Sequence, residues 1–166
     1  MEDLNILKGK KLLIVDDEPE VVETLQDLLD MCEIDIAADF ASGEKLLNQN
    51  RYDCAILDIM GVQGYDLLEI ANRKKIPALM FTAHALSAEN FAKSISQGAA
   101  AYIPKEKMAD IGVYLSDILN AREESGKPHR WFSRLVPFFD KLFGINETYH
   151  ELKRDYIKKY GPIDPA

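Results

Sequence analysis

Cysteine is nearly absent: the 166-residue chain holds only Cys32 and Cys54. Two thiols support neither a disulfide framework nor a four-cysteine metal site, so a reduced, cytoplasmic setting is expected. Glycine and proline are sparse, at 9 and 7 residues, which excludes collagen-like and low-complexity architectures. No apolar run approaches the roughly 18 residues that a membrane-spanning helix needs. The opening stretch, Met1 to Lys11, carries Glu2 and Asp3 and lacks the apolar segment of a secretory signal. Positive charge is in deficit, 20 lysines and arginines against 28 acids, for a net charge of −8. That balance argues against non-specific nucleic-acid binding. What is present is a chain 47% hydrophobic and 29% charged, enough to build a packed core.

The charge is unevenly spread. Residues 1–124 hold 12 basic and 23 acidic residues, net −11, whereas residues 125–166 hold 8 and 5, net +3. The second stretch also carries eight of the fifteen aromatic residues. The shift falls at Glu123-Glu124-Ser125-Gly126-Lys127-Pro128, which reads as a linker. The expected organisation is therefore an acidic body, 1–124, followed by a small basic and aromatic extension, 125–166. No internal repeat is visible.

Along the body, short apolar runs alternate with amphipathic stretches. Lys11 to Val15 is a strand that stops at Asp16-Asp17-Glu18-Pro19, and Pro19 suits the first turn of a helix carrying Val21, Val22, Leu25 and Leu28. The next strand runs Ile34 to Phe40, with a short helix opening at Ser42-Gly43-Glu44. Tyr52 to Leu57 is a third strand, ending at Asp58, and Tyr65 to Arg73 a helix. Ile76 to Phe81 ends at Thr82, Ser87 to Gln97 is helical, Ala100 to Ile103 ends at Pro104-Lys105, and Met108 to Arg122 is the last helix. Five continuous apolar strands between helices imply a parallel sheet covered on both faces. Right-handed crossovers make it doubly wound.

Ligands of such sheets bind at the carboxyl ends of the strands. Here those ends carry Asp16 and Asp17, Asp58, Thr82 and Lys105. Each has an ordinary explanation alone: Asp17 as a helix cap, Thr82 as a backbone partner, Lys105 as a solvated surface residue. Their joint placement is much harder to explain that way. Converging carboxylates repel one another, so either a carboxyl pKa rises or a cation neutralises the group. An all-oxygen site with few protein ligands suits Mg²⁺. An ammonium and a hydroxyl beside it can hold an anion's oxygens, which equips the pocket for a phosphoryl group on a carboxylate.

The stretches Leu12-Leu13-Ile14-Val15-Asp16-Asp17-Glu18-Pro19, Asp53 to Gly61, Phe81-Thr82-Ala83 and Gly98 to Lys105 together resemble the receiver domain of two-component response regulators. The resemblance covers about Lys10 to Arg122. It implies a flavodoxin-like sheet of order 2-1-3-4-5, with Asp58 as phosphoacceptor. It implies Mg²⁺ held by Asp16, Asp17, Asp58 and the backbone carbonyl of Met60. Thr82 and Lys105 would contact the phosphoryl oxygens, Ala83 would leave access to them, and Tyr102 would be the aromatic that swings inward on activation. The donor would be a histidine kinase or phosphotransfer protein, and an unidentified downstream protein would read the switch. One departure concerns the lysine loop, where receivers usually place a cis proline after the lysine. Here Pro104 precedes Lys105 and Glu106 follows it, so a trans bond is expected. His84, two residues past Thr82, occupies a position that tunes dephosphorylation in that family.

The same residues bear on three rival readings. A haloacid-dehalogenase-type phosphatase needs a second Asp two past its nucleophile and a Thr two further on, but Glu18 and Glu20 stand there. A flavodoxin needs a Ser/Thr-rich first loop, and Asp16-Asp17-Glu18 would repel a flavin phosphate. A degenerate receiver serving only as a binding module is the remaining alternative. The chain is not expected to be an enzyme beyond assisting its own phosphorylation and dephosphorylation. The extension shows no helix-turn-helix pattern, and no nucleic-acid partner is expected. Trp131, Leu135, Phe138, Phe139, Leu142 and Phe143 form one helical stripe, with Pro137 kinking or starting the helix. Asn146 caps a second helix with Tyr149, Leu152, Tyr156, Ile157 and Tyr160. Two short helices cannot bury that much aromatic surface between themselves, so it needs a host. Docking on the protein's own receiver is favoured, ahead of a homodimer or a partner, with a membrane surface last.

Overall fold

The computed structural model describes residues 4–124 and 129–163. Five parallel strands, β1 (Lys11–Val15), β2 (Glu33–Ala37), β3 (Cys54–Leu57), β4 (Ala78–Thr82) and β5 (Ala101–Pro104), form one sheet of order β2-β1-β3-β4-β5. Every residue of β3, β4 and β5 is buried, as continuous apolar strands covered on both faces require. Strand β2 is an edge strand and mixes exposed and half-buried positions with one buried residue, Ala37. The doubly wound, flavodoxin-like sheet expected from the sequence is the one found.

Five helices flank the sheet: α1 (Pro19–Leu28), α2 (Phe40–Gln49), α3 (Gly64–Arg73), α4 (Ala88–Ser96) and α5 (Ile111–Glu124). Their boundaries follow local capping chemistry. The helix expected to open at Ser42 starts at Phe40 instead, because the Asp39 carboxylate accepts the Ser42 N–H at 2.8 Å and acts as its N-cap. Phe40 accordingly leaves the second strand. Ser87 caps α4 the same way, accepting from the Asn90 N–H. The helix expected from Met108 begins later, since Lys105–Asp110 forms a 3₁₀ segment before α5. An unforeseen 3₁₀ turn, Asn5–Leu7, buries Leu7 against α5. No cis peptide occurs among the described residues, so Lys105–Glu106 is trans.

Two further helices, α6 (Arg130–Phe143) and α7 (Glu147–Tyr160), follow the body. Of the expected linker, Glu123 and Glu124 belong to α5, and residues 125–128 lie outside the described residues. Pro137 sits inside α6 on its exposed side rather than starting it. Asn146 caps α7 as expected, accepting the Tyr149 N–H at 3.0 Å, and Gly161 at φ 93° ends it. The buried face of α6 differs from the expected stripe: Trp131, Phe132, Leu135, Val136 and Phe139 point inward, whereas Phe138 is half-buried and Leu142 exposed. That face docks on α4, β5 and α5, the host being the protein's own body.

Candidate functional site at the carboxyl edge of the sheet

Because the strands are parallel, their carboxyl ends share one edge, and each delivers its terminal side chain there. Asp16 and Asp17 follow β1, Asp58 follows β3, Thr82 closes β4 and Lys105 follows β5. The structure brings Asp16, Asp17, Asp58 and Lys105 together, and Thr82 ends β4 on the same edge with its hydroxyl toward Ala85. One carboxylate oxygen from each of Asp16, Asp17, Glu18 and Asp58 lies within 4.8 Å of the others. Lys105 Nζ stands 2.8 Å from Asp16 Oδ2, 3.4 Å from Asp58 Oδ2 and 3.3 Å from Glu18 Oε1. Its side chain is only 6% exposed, so this charge is committed to the pocket rather than solvated.

Electrostatics follow from burial. Desolvation, reinforced by the nearby Asp16 charge, pushes the Asp58 carboxyl up to about 6, although Lys105 works against this. Asp16 is raised as well, chiefly by burial, with Lys105 and the Glu18 N–H pulling the other way. Burial alone would lower the Lys105 pKa, yet the hydrogen bond and charge of Asp16, with Asp58 and Glu18, hold it above its ordinary value. One positive charge therefore faces four carboxylates. Asp16 Oδ1 accepts the Glu18 N–H at 2.9 Å, whereas the buried Oδ2 has no well-aligned hydrogen bond and meets only the ammonium in close pairing. This donor set fits a hard divalent cation, which takes carboxylate oxygens and keeps several waters.

The loop after β3 is shaped around the same group. Gly61 sits at φ 85°, a conformation that favours glycine, and a Cβ there would crowd the Asp17 carboxylate, 2.5 Å from Oδ2. Met60, whose backbone carbonyl is the expected fourth metal ligand, lies in this loop two residues past Asp58 with its side chain exposed. Ala83 is exposed at the mouth of the pocket. Glu18 was not singled out from the sequence, where it reads as one more acid before Pro19. Its reach places it between Lys105 and His84, whose Nε2 is 3.5 Å from Glu18 Oε1. His84 is thus an exposed residue on the pocket rim.

Thr82 and Tyr102 connect this edge to the loop before α4. Thr82 Oγ accepts the Ala85 N–H at 3.0 Å. The Tyr102 hydroxyl donates to the Ala85 carbonyl at 2.7 Å and accepts the Ser87 N–H at 3.1 Å. Tyr102 is fully buried, and desolvation holds its phenol well above the usual range. It already points inward.

Residues 12–113 match the model of the response regulator receiver domain. The chain belongs to the response regulator receiver family. A curated relative, the two-component response regulator ARR18 of Arabidopsis thaliana, is 31% identical over 103 residues, 58% of this chain. The match spans 16% of that much longer relative. Among solved structures, the CheY-like receiver domain protein of Methanospirillum hungatei JF-1 superposes with a TM-score of 0.64 at 28% identity, covering 72% of this chain and all of that one. A response regulator from Chloroflexus aurantiacus J-10-fl gives a TM-score of 0.61 at 29% identity, covering 69% of this chain and 100% of its own. The receiver match ends within α5, so α6 and α7 are additions to the receiver. No described helix is long and apolar enough to cross a membrane.

Proposed function

We propose that this receiver is a phosphoacceptor in a two-component phosphorelay, with Asp58 as the residue that carries the phosphoryl group. The observation that carries the reading is the lysine-faced carboxylate: Lys105 Nζ lies 3.4 Å from Asp58 Oδ2, within a cluster of acids too crowded to stay unneutralised. An Asp58 oxygen attacks the phosphorus of a phosphohistidine on a histidine kinase or phosphotransfer protein. The O–P bond forms as the P–N bond breaks, and the histidine leaves with its electron pair on nitrogen. Lys105 balances charge on the transferring oxygens, and the Thr82 hydroxyl donates to one of them. Ala83, being small, leaves the donor a path. Water later hydrolyses the acyl phosphate, with His84 and Glu18 at the rim where that water enters.

Asp16, Asp17 and Asp58, with the Met60 carbonyl, would hold Mg²⁺. When bound, the ion neutralises the crowded carboxylates and screens the phosphoryl charge. The protein is a cytoplasmic signalling component rather than an enzyme with a separate substrate. Incubating it with a small phosphodonor and Mg²⁺, then measuring intact mass and mapping peptides, tests the reading. A single phosphoryl adduct on Asp58, lost in Asp58→Asn, is expected. An adduct that persists in Asp58→Asn overturns the assignment, and a chain that never labels favours the binding-module alternative.

A further inference from the structure

The pocket and the added helices are joined by one short path of contacts. Thr82 Oγ holds the Ala85 N–H, and the Ala85 carbonyl and Ser87 N–H hold the Tyr102 hydroxyl. Ser87 is the N-cap of α4, and one turn later α4 carries Phe91. The Phe91 ring stacks on Tyr102, centroids 4.8 Å apart and planes 10° from parallel. On its other sides Phe91 meets rings of α6 and α7 in aromatic contact: Phe139 at 4.7 Å, Phe132 at 5.7 Å, Trp131 at 6.0 Å and Tyr149 at 6.4 Å. Phe139 also lies 6.4 Å from the Tyr102 ring itself. A bidentate ion pair fixes the docking from the side, Arg134 Nε to Asp117 Oδ2 at 2.7 Å and Nη2 to Oδ1 at 3.1 Å, between α6 and α5.

We infer that α6 and α7 act in cis as an effector of the receiver, clamping Tyr102 inward through Phe91 and Phe139 so that docking of the helices and a phosphoryl group on Asp58 favour each other. This rests on the phosphoacceptor reading of Asp58. The sign comes from the geometry. In the docked arrangement Thr82 Oγ uses a lone pair toward Ala85, so its hydrogen is free to donate to a phosphoryl oxygen while the loop stays where Tyr102 holds it. Undocking strips one wall from Phe91 and Tyr102, and the rings can then leave that arrangement. Any group that binds the clamped state better must be bound more tightly when the helices are docked, and must tighten the docking in return.

The test uses the full chain with beryllofluoride and Mg²⁺ as the phosphoryl mimic, in wild type, Phe139→Ala and Arg134→Ala. Hydrogen exchange of the α6 and α7 amides should slow when the mimic saturates wild type. Titration by calorimetry should show beryllofluoride binding weakened by about 5-fold or more in either variant. Arg134→Ala leaves the aromatic core intact, so the result does not depend on Phe139→Ala folding fully. Exchange in α6 and α7 that is unchanged or faster with the mimic overturns the inference, as does binding within two-fold of wild type in both variants. If wild type takes up neither beryllofluoride nor a phosphoryl adduct, the Asp58 reading fails and the inference falls with it. A normal Asp58 adduct without a response in the helices removes the inference alone.

Discussion

The carboxyl edge of the sheet and the aromatic seam beneath α6 and α7 are both buried, yet they are built on opposite terms. At the edge, Asp16 and Asp58 are held together against their mutual repulsion with one lysine between them. The seam instead packs Phe91, Tyr102, Trp131, Phe132, Phe139 and Tyr149, all fully buried, with ring contacts on every side. Burial at the edge raises the energy of the ionised state, and burial at the seam lowers the energy of the fold. A reactive group needs the first environment and a docked element the second. The same sheet supplies both because polar residues end its strands and apolar ones cover its faces.

Substitutions should separate the two regions by their dependence on pH and metal. The largest stability loss is expected from Phe91→Ala, about 3–5 kcal/mol in urea unfolding, because five aromatic rings lose a shared neighbour. That loss should be the same with and without Mg²⁺ and nearly flat from pH 5 to pH 8. Lys105→Met should cost about 3 kcal/mol at pH 7.5 without metal, since Asp16 and Asp58 are left facing each other unpaired. At pH 5 the cost should shrink, as those carboxyls take up protons. A pH-independent Lys105 effect would show that the edge is ordinary packing after all.

Asp58→Asn should move stability in the other direction. A carboxyl raised to about 6 in the fold keeps its proton there more readily than in the unfolded chain. Its favourable contribution is therefore complete below pH 4 and lost as pH rises through about 6. Replacing it by Asn should stabilise the metal-free protein by about 2 kcal/mol at pH 7.5, with the advantage vanishing near pH 4. Millimolar Mg²⁺ should raise the wild-type Tm and narrow the gap, because a ligand of the folded state alone stabilises it. The smallest effect is expected at the seam's margin: Arg134→Ala should cost about 1 kcal/mol in the same assay, mostly insensitive to Mg²⁺.

The strand ends were legible because parallel topology converts sequence position into spatial position. An acid after the first strand and another after the third must meet whatever lies between them. Glu18 escaped notice because nothing in its spacing separates it from a solvated acid, and only the reach of its side chain brings it to Lys105. The inward face of α6 is ambiguous in the sequence for a related reason. Its apolar residues fill two overlapping stripes, one through Phe138 and Leu142 and one through Phe132 and Val136, and helical periodicity permits either. Phe91 decides between them, and a partner on another helix leaves no mark on the local pattern. The start of α2 at Phe40 is hidden in the sequence because Asp39 reads equally well as the last residue of a strand loop, and only its bond to Ser42 makes it the cap.

One hydrophobic core runs without interruption from Leu7 to Tyr156, across the point where the receiver match ends. The segment that matches the receiver family and the segment that shares one core are consequently not the same length here. A graft that carried residues 12–113 alone into another protein would bring along the bare ring of Phe91 as a ready-made adhesive face. The added helices are thus a condition of the receiver's portability, and swapping this receiver between signalling chains means moving its last two helices with it.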